Sequence, residues 1–290
     1  MPLPLYIIER GDFPPLLAEI PDAPKRLFVR GVLPSPEEYK YLCVVGSRHA
    51  SPYGKRAVAW IIAGLVGYKI AIVSGLALGI DADAHTASLA AGLPTIAVLP
   101  SSVDDASIYP STNRALAARI LQKGGALLSE YPEGSRAAMW TFPARNRIMA
   151  GLSHATLIVE ASEKSGTLIT MRLALDYNRE VCAVPHPIGS ESGAGNNRLI
   201  REGATLIRNA DDLLEVLGLR SSTDPREAPH TLPLDLSDPE RALLIALTTP
   251  LTRDELCTLS GLPAQHLNIA LSSLSIRGLV IERLGKIERC

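Results

Sequence analysis

Between residues 41 and 207 the chain repeats one rhythm: a short apolar run, a turn, then a helical stretch. The runs are Leu42–Val45, Ile70–Val73, Thr95–Leu99, Ala126–Leu128, Thr156–Val159, Val181–Val184 and Thr205–Ile207. Runs this short and this uniformly apolar read as strands buried on both faces. Helical patterns over 52–66, 82–91, 113–123, 168–177 and 196–202 lie between them. Strands alternating with helices predict an α/β fold, a Rossmann-like doubly wound, mostly parallel sheet. Hydrophobic residues reach 47% while aromatics supply only 4%, so the core must be built from Ala, Val, Ile and Leu.

The flanks differ from this rhythm. Residues 1–40 carry many prolines and few periodic runs, and read as an N-terminal lead-in with one short strand at Leu27–Arg30. The Rossmann-like domain is then 41–219, followed by a polar, proline-bearing linker over 220–236. In 237–290, Ser237-Asp238-Pro239-Glu240 can start a helix, and Thr252 with Glu255 makes a capping box for a second. Gly261-Leu262-Pro263 turns into a third over 264–276, and 279–289 reads as a small hairpin. That order is a winged-helix plan. Its six Lys/Arg are balanced by six Asp/Glu, and the third helix offers only Gln265, His266 and Asn268 for reading bases. Protein contact or loose DNA docking is therefore expected of it before operator recognition.

A net charge of −1 excludes a globally basic footprint, so any polyanion site must be a local patch. Cys43, Cys182, Cys257 and Cys290 show neither close pairing nor metal-ligand spacing, and read as reduced thiols of a cytoplasmic protein. No apolar stretch reaches membrane-spanning length and no leader pattern is seen, so no membrane partner is expected. Neither the dinucleotide fingerprint nor the P-loop signature occurs, which weighs against NAD and ATP; no cofactor and no metal are expected.

In an open parallel sheet, ligands bind beyond the carboxyl ends of the strands. After the first run stand Gly46, Ser47 and Arg48, then Ser51 and Pro52, a cap and a first position for a helix. Glycine there admits a close ligand, and amides at the helix start with Ser47 and Arg48 would form a phosphate pocket; the plainer reading is an ordinary strand–helix turn. After the second run, Gly75 and Gly79 permit a tight turn, Asp81 or Asp83 can start a helix, and His85 reads as a buried, hydrogen-bonded histidine. After the fifth, Lys164 offers a point charge, and Ser165, Gly166 and Thr167 offer hydroxyls and amides to an anion; the plainer reading is N-capping by Ser165. From Arg136 to Val159 there is no acidic residue, and Arg136, Arg145 and Arg147 interleave with Trp140 and Phe142. Guanidinium forks suit phosphate oxygens and flat rings suit unpaired bases. The plainer reading is a helix start with solvated arginines.

Taken in order, these segments closely resemble the bacterial DNA-processing protein A family (DprA, also called Smf). The motifs are Val44-Val45-Gly46-Ser47-Arg48, Ser51-Pro52-Tyr53-Gly54, Ser74 to Asp81 with Ala84-His85, Tyr109-Pro110 with Asn113, Phe142 to Ser153, and Glu160-Ala161 with Ser165 to Thr170. The resemblance runs from about residue 12 to 217. It implies a non-catalytic, Rossmann-like protein that binds single-stranded DNA, forms a homodimer and loads a RecA-type recombinase during natural transformation. It carries over Arg48 as a phosphate contact, Phe142, Arg145, Asn146 and Arg147 as the arginine-rich motif, and Ser165, Gly166 and Thr167 as the serine-glycine turn. The chain departs from the family in the loop Pro100–Ile108, which lacks glycine, at Leu78, a slot often basic in relatives, and at His186-Pro187. On this reading Arg48→Ala or Arg147→Ala weakens binding to every sequence, each lost phosphate contact flattening the log–log salt slope by about 0.7.

A reading of another class is an enzyme acting on nucleoside monophosphates. Phosphoribohydrolases that resemble lysine decarboxylases have a similar sheet and a glycine-threonine turn, followed by a glutamate that works on the sugar. Here Thr170 stands at that spacing. Glu160 and Asp81 are the remaining carboxylates, and capping or core pairing is the simpler job for both.

Overall fold

The computed structural model describes residues 5–219, 236–247, 251–276, 279–283 and 285–289. The chain divides into two compact units, Met1–Thr223 and Asp224–Cys290. The segment 220–235, which holds nearly all of the stretch read as a linker, lies outside the described residues.

In the first unit the elements run β1 (Leu5–Glu9), α1 (Pro15–Ala18), β2 (Arg26–Gly31), β3 (Lys40–Gly46), α2 (Pro52–Ala63), β4 (Ile70–Ser74), α3 (Ile80–Ala90), β5 (Thr95–Val98), α4 (Arg114–Gln122) and β6 (Ala126–Ser129). They continue as α5 (Thr141–Leu152), β7 (Ala155–Glu160), α6 (Thr167–Asp176), β8 (Glu180–Ala183), α7 (Ala194–Arg201), β9 (Thr205–Leu206) and α8 (Ala210–Val216). The strands form one nine-stranded sheet in the order β1-β2-β6-β5-β4-β3-β7-β8-β9. From β6 to β9 every pairing is parallel. At the other edge β2 runs antiparallel to both of its neighbours, β1 and β6. Residues 1–40 thus supply two strands to the same sheet.

All seven apolar runs are strands, and their period-2 alternation explains the two layers. Tyr41, Cys43 and Val45 face one side, where they pack with Leu17, Ile148, Leu152, Met171 and Leu199 of α1, α5, α6 and α7. Leu42 and Val44 face the other, with Val58, Ile62, Ile80, Leu213 and Leu214 of α2, α3 and α8. Ser51 caps α2 by accepting the Gly54 amide at 3.1 Å, and Pro52 takes the first helical position.

Strand order reverses between β3 and β7: chain order leads from β3 outward through β4, β5 and β6 on one side, and through β7, β8 and β9 on the other. A crevice opens at such a switch point, beyond the carboxyl ends of the two central strands.

The second unit holds α9 (Asp238–Ala246), α10 (Arg253–Ser260), α11 (Ala264–Ile276) and an antiparallel hairpin, β10 (Val280–Arg283) with β11 (Lys286–Arg289). Its own core includes Leu243, Leu244, Leu256, Leu267, Leu274, Val280 and Ile287. Both capping boxes close, Ser237 donating its amide to Glu240 and Thr252 to Glu255, each at 2.7 Å. Gly261 ends α10 at φ +66°, a left-handed turn that glycine adopts without strain. Three helices and a hairpin make a winged helix.

Candidate nucleic-acid interface

A cavity of about 480 Å³ sits at the switch point. The turn after β3 brings Gly46, Ser47 and Arg48 to it, α5 brings Phe142, Arg145 and Asn146, and the start of α6 brings Ser165, Gly166 and Thr167. Three segments far apart in the sequence therefore line one space. Arg147 and Lys164 do not line it.

The arginines have different fates. Arg48 is exposed, makes no ion pair with a described residue, and lies with its guanidinium carbon 5.3 Å from the centre of the Phe142 ring. The ring is held edge-on by Tyr109 at 5.6 Å. Arg145 is buried. Its guanidinium donates to the Gly75 and Val98 carbonyls and to the Asn146 side chain. A Cβ at Gly75 would fall on that guanidinium, so glycine is required there. Arg147 turns away, donating to Glu130 at 2.5 Å and to the Asp22 carbonyl at 2.7 Å. Arg147, expected from the arginine-rich motif to belong to the DNA site, has its guanidinium met by these acceptors. Lys164 is exposed beside the α6 turn.

Asp81 forms part of the floor. Its carboxylate accepts the Gly75 and Ala77 amides at 3.1 and 3.4 Å. Burial pushes its pKa up, against the pull of Arg145, those two amides and Arg48. Burial likewise pushes Arg145 down, against the Asp81 carboxylate. Both shifts show desolvation outweighing attraction, as for ions taken from water. Both bond to the turn after β4, Asp81 accepting the Gly75 and Ala77 amides and Arg145 donating to the Gly75 carbonyl. Asn113 does the same from outside, donating to the Leu76 and Ala77 carbonyls at 2.8 and 3.2 Å.

The start of α2 is not an open anion site. The fully buried Glu160 carboxylate accepts the Ser51 amide at 2.9 Å and so supplies the negative charge that this helix end favours. Gly46 is glycine for packing, since a Cβ there would lie 2.6 Å from Ile80. The start of α6 carries no such internal carboxylate; the Ser165 hydroxyl accepts the Thr167 amide at 3.2 Å, a local capping bond. His85 is fully buried, with Nδ1 2.7 Å from the Thr95 hydroxyl, which itself donates to Ile72. His186 is buried too, its Nε2 2.9 Å from the Val159 carbonyl and its ring edge-on to Tyr53.

Sequence reasoning missed Met139 and Met149 in the cavity wall and the bracing roles of Asn113 and Arg145, while Asp81 has the core-pairing job expected of it. Asn113 and Arg145 stood inside quoted motifs, but a motif does not distinguish a brace from a contact. Among the described residues no helix is long and apolar enough to cross a membrane.

The chain is 38% identical over 273 residues to the protein Smf of Escherichia coli, covering 92% of this chain and 72% of that one. The X-ray structure of DNA processing protein A from Streptococcus pneumoniae superposes with a TM-score of 0.67 at 38% identity, over 73% of this chain and 74% of that chain. A Helicobacter pylori DNA processing protein A, whose structure describes a single-stranded DNA binding mode, superposes with a TM-score of 0.66 at 29% identity, over 75% and 97%. The chain spans 56% to 73% of the length of the curated relatives it matches. A family model for a DprA winged helix domain matches residues 227–286. With a model for DNA recombination-mediator protein A matching residues 5–218, this chain belongs to the DprA/Smf family.

Proposed function

We propose that the protein binds single-stranded DNA without sequence preference at the switch-point cavity, and that it delivers the strand to a RecA-type recombinase during DNA uptake. The observation that carries this reading is Arg48: an exposed cation that makes no ion pair with a described residue, laid on the Phe142 ring and lining the cavity that the start of α6 also lines. A phosphate between Arg48 and the α6 amides, with a base against an aromatic ring, uses contacts that every nucleotide offers. Lys164 adds charge at the margin. Arg145 and Asn146 hold the wall, and Arg147 holds α5 to Glu130. The single-stranded DNA binding mode described for the Helicobacter pylori protein and the family's description as a recombination mediator support the ligand and the role. A few cations on a near-neutral chain give modest affinity per subunit, so a homodimer placing two cavities on one strand is part of the proposal. The free cysteines Cys43, Cys182 and Cys257 suit a cytoplasmic protein. The winged helix is proposed as a docking module; Asn268 on α11 is already held by Arg253 at 3.0 Å.

The geometry weighs against the enzymatic alternative. Glu160 caps α2, Asp81 anchors the turn after β4, and Thr170 stands in the cavity without a charge. One experiment separates the classes. The full chain is titrated with labelled oligo-dT, with duplex and with nucleoside monophosphates, and the last mixture is assayed for free base. Saturable oligo-dT binding at least tenfold tighter than duplex, with no base released, is expected. Release of free base, or no preference for the single strand, overturns the proposal.

A further inference from the structure

Trp140 is 67% exposed, though indoles are costly to leave in water. It stands between Met139 and Phe142, both lining the cavity, immediately before α5. Trp140 is the N-cap of α5 and Phe142 its second residue, so both rings stand at the start of the same helix. The indole packs edge-on against Tyr131, ring centres 5.6 Å apart at 82°. That pairing repeats the arrangement of Tyr109 with Phe142, at 5.6 Å and 70°. Arg136, four residues upstream, is exposed and makes no ion pair with a described residue. Of the nearby carboxylates, Glu130 is neutralised by Arg147 and Glu133 is left in solvent.

We propose that Trp140, braced by Tyr131, is a second stacking platform: it takes the base next to the one at Phe142, with Arg136 on the adjoining phosphate. This rests on the single-strand reading of the cavity. The cavity alone places one base and one phosphate; the platform extends the footprint along the α5 entrance and sets the strand's direction of exit. The ring of Trp140 meets Tyr131 edge-on and is otherwise exposed, which leaves it open to a base.

The test uses the full chain and the fact that it holds two tryptophans. In Trp60→Phe, which alters α2 away from the cavity, Trp140 is the remaining fluorophore. Its emission is expected to be quenched on saturation with oligo-dT and unchanged with an abasic oligomer of equal length. Trp140→Ala is expected to weaken oligo-dT binding by about five- to a hundredfold, with Trp140→Phe retaining most of it. It should leave abasic-oligomer binding unaltered. Arg136→Ala should flatten the salt slope by about 0.7. Unquenched Trp140 at saturation, or wild-type binding by Trp140→Ala, overturns the platform. If Arg48→Ala still weakens binding in that case, the cavity reading survives; if it does not, both fall.

Discussion

At the residue scale, environment decides what each guanidinium is for. Arg145 is buried, with donors engaged by two backbone carbonyls and the Asn146 side chain and with Asp81 acting on its charge against the cost of burial. Arg147 is held by Glu130 and Asp22. Among the described residues Arg48 makes no ion pair and lies against an aromatic ring, and that leaves its donors for a ligand. Burial sorts the histidines in the same way. The pKa of His85 is pushed down to about 3, first by burial and then by Arg145, whereas in the unfolded chain it lies near 6.5. The folded state therefore binds fewer protons between those values. This contribution to stability is complete above pH 6.5 and lost as pH falls toward 3, at up to about 1.4 kcal/mol per unit. His85→Gln should flatten the melting temperature against pH over that window. Parallel curves for variant and wild type would count against a neutral, buried His85.

At the scale of elements, the cavity depends on the turn after β4. Leu76 there is fully buried at φ +56°, a left-handed conformation that side chains adopt at a cost of about 1–3 kcal/mol. Asp81, Arg145 and Asn113 hold it, and a Cβ on Gly79 (φ +74°) would strike the Arg48 backbone. Asn113→Ala should lose about 1–3 kcal/mol by denaturant unfolding and also weaken oligo-dT binding. Asn113→Asp, which cannot donate to the two carbonyls, should lose more. Full stability in both variants would show the turn standing without this brace. The strands of the parallel sheet were legible because burial on both faces writes a continuous apolar run. β1 was not: Leu5, Tyr6 and Ile7 are all exposed at the sheet edge, so no face leaves a pattern. The whole of α5 was obscured because its buried side includes Arg145, which breaks the apolar period. Likewise, the glycine-serine-arginine turn was readable as a site, but Glu160 filling the α2 start was not. That contact joins residues 109 positions apart.

At the scale of the molecule, doubly wound topology decides where a ligand can go, and a net charge of −1 decides how strongly it is held. With little background attraction, a single unpaired cation at the switch point should be visible in the salt dependence of the whole chain. The most direct measurement is oligo-dT affinity as a function of salt for wild type, Arg48→Ala and Arg147→Ala. Arg48→Ala should bind more weakly, with its log–log slope shallower by about 0.7. Arg147→Ala should keep the wild-type slope while unfolding at lower denaturant. An unchanged slope in Arg48→Ala, or the flattened slope appearing in Arg147→Ala instead, would contradict the assignment of Arg48 as the cation that meets the strand.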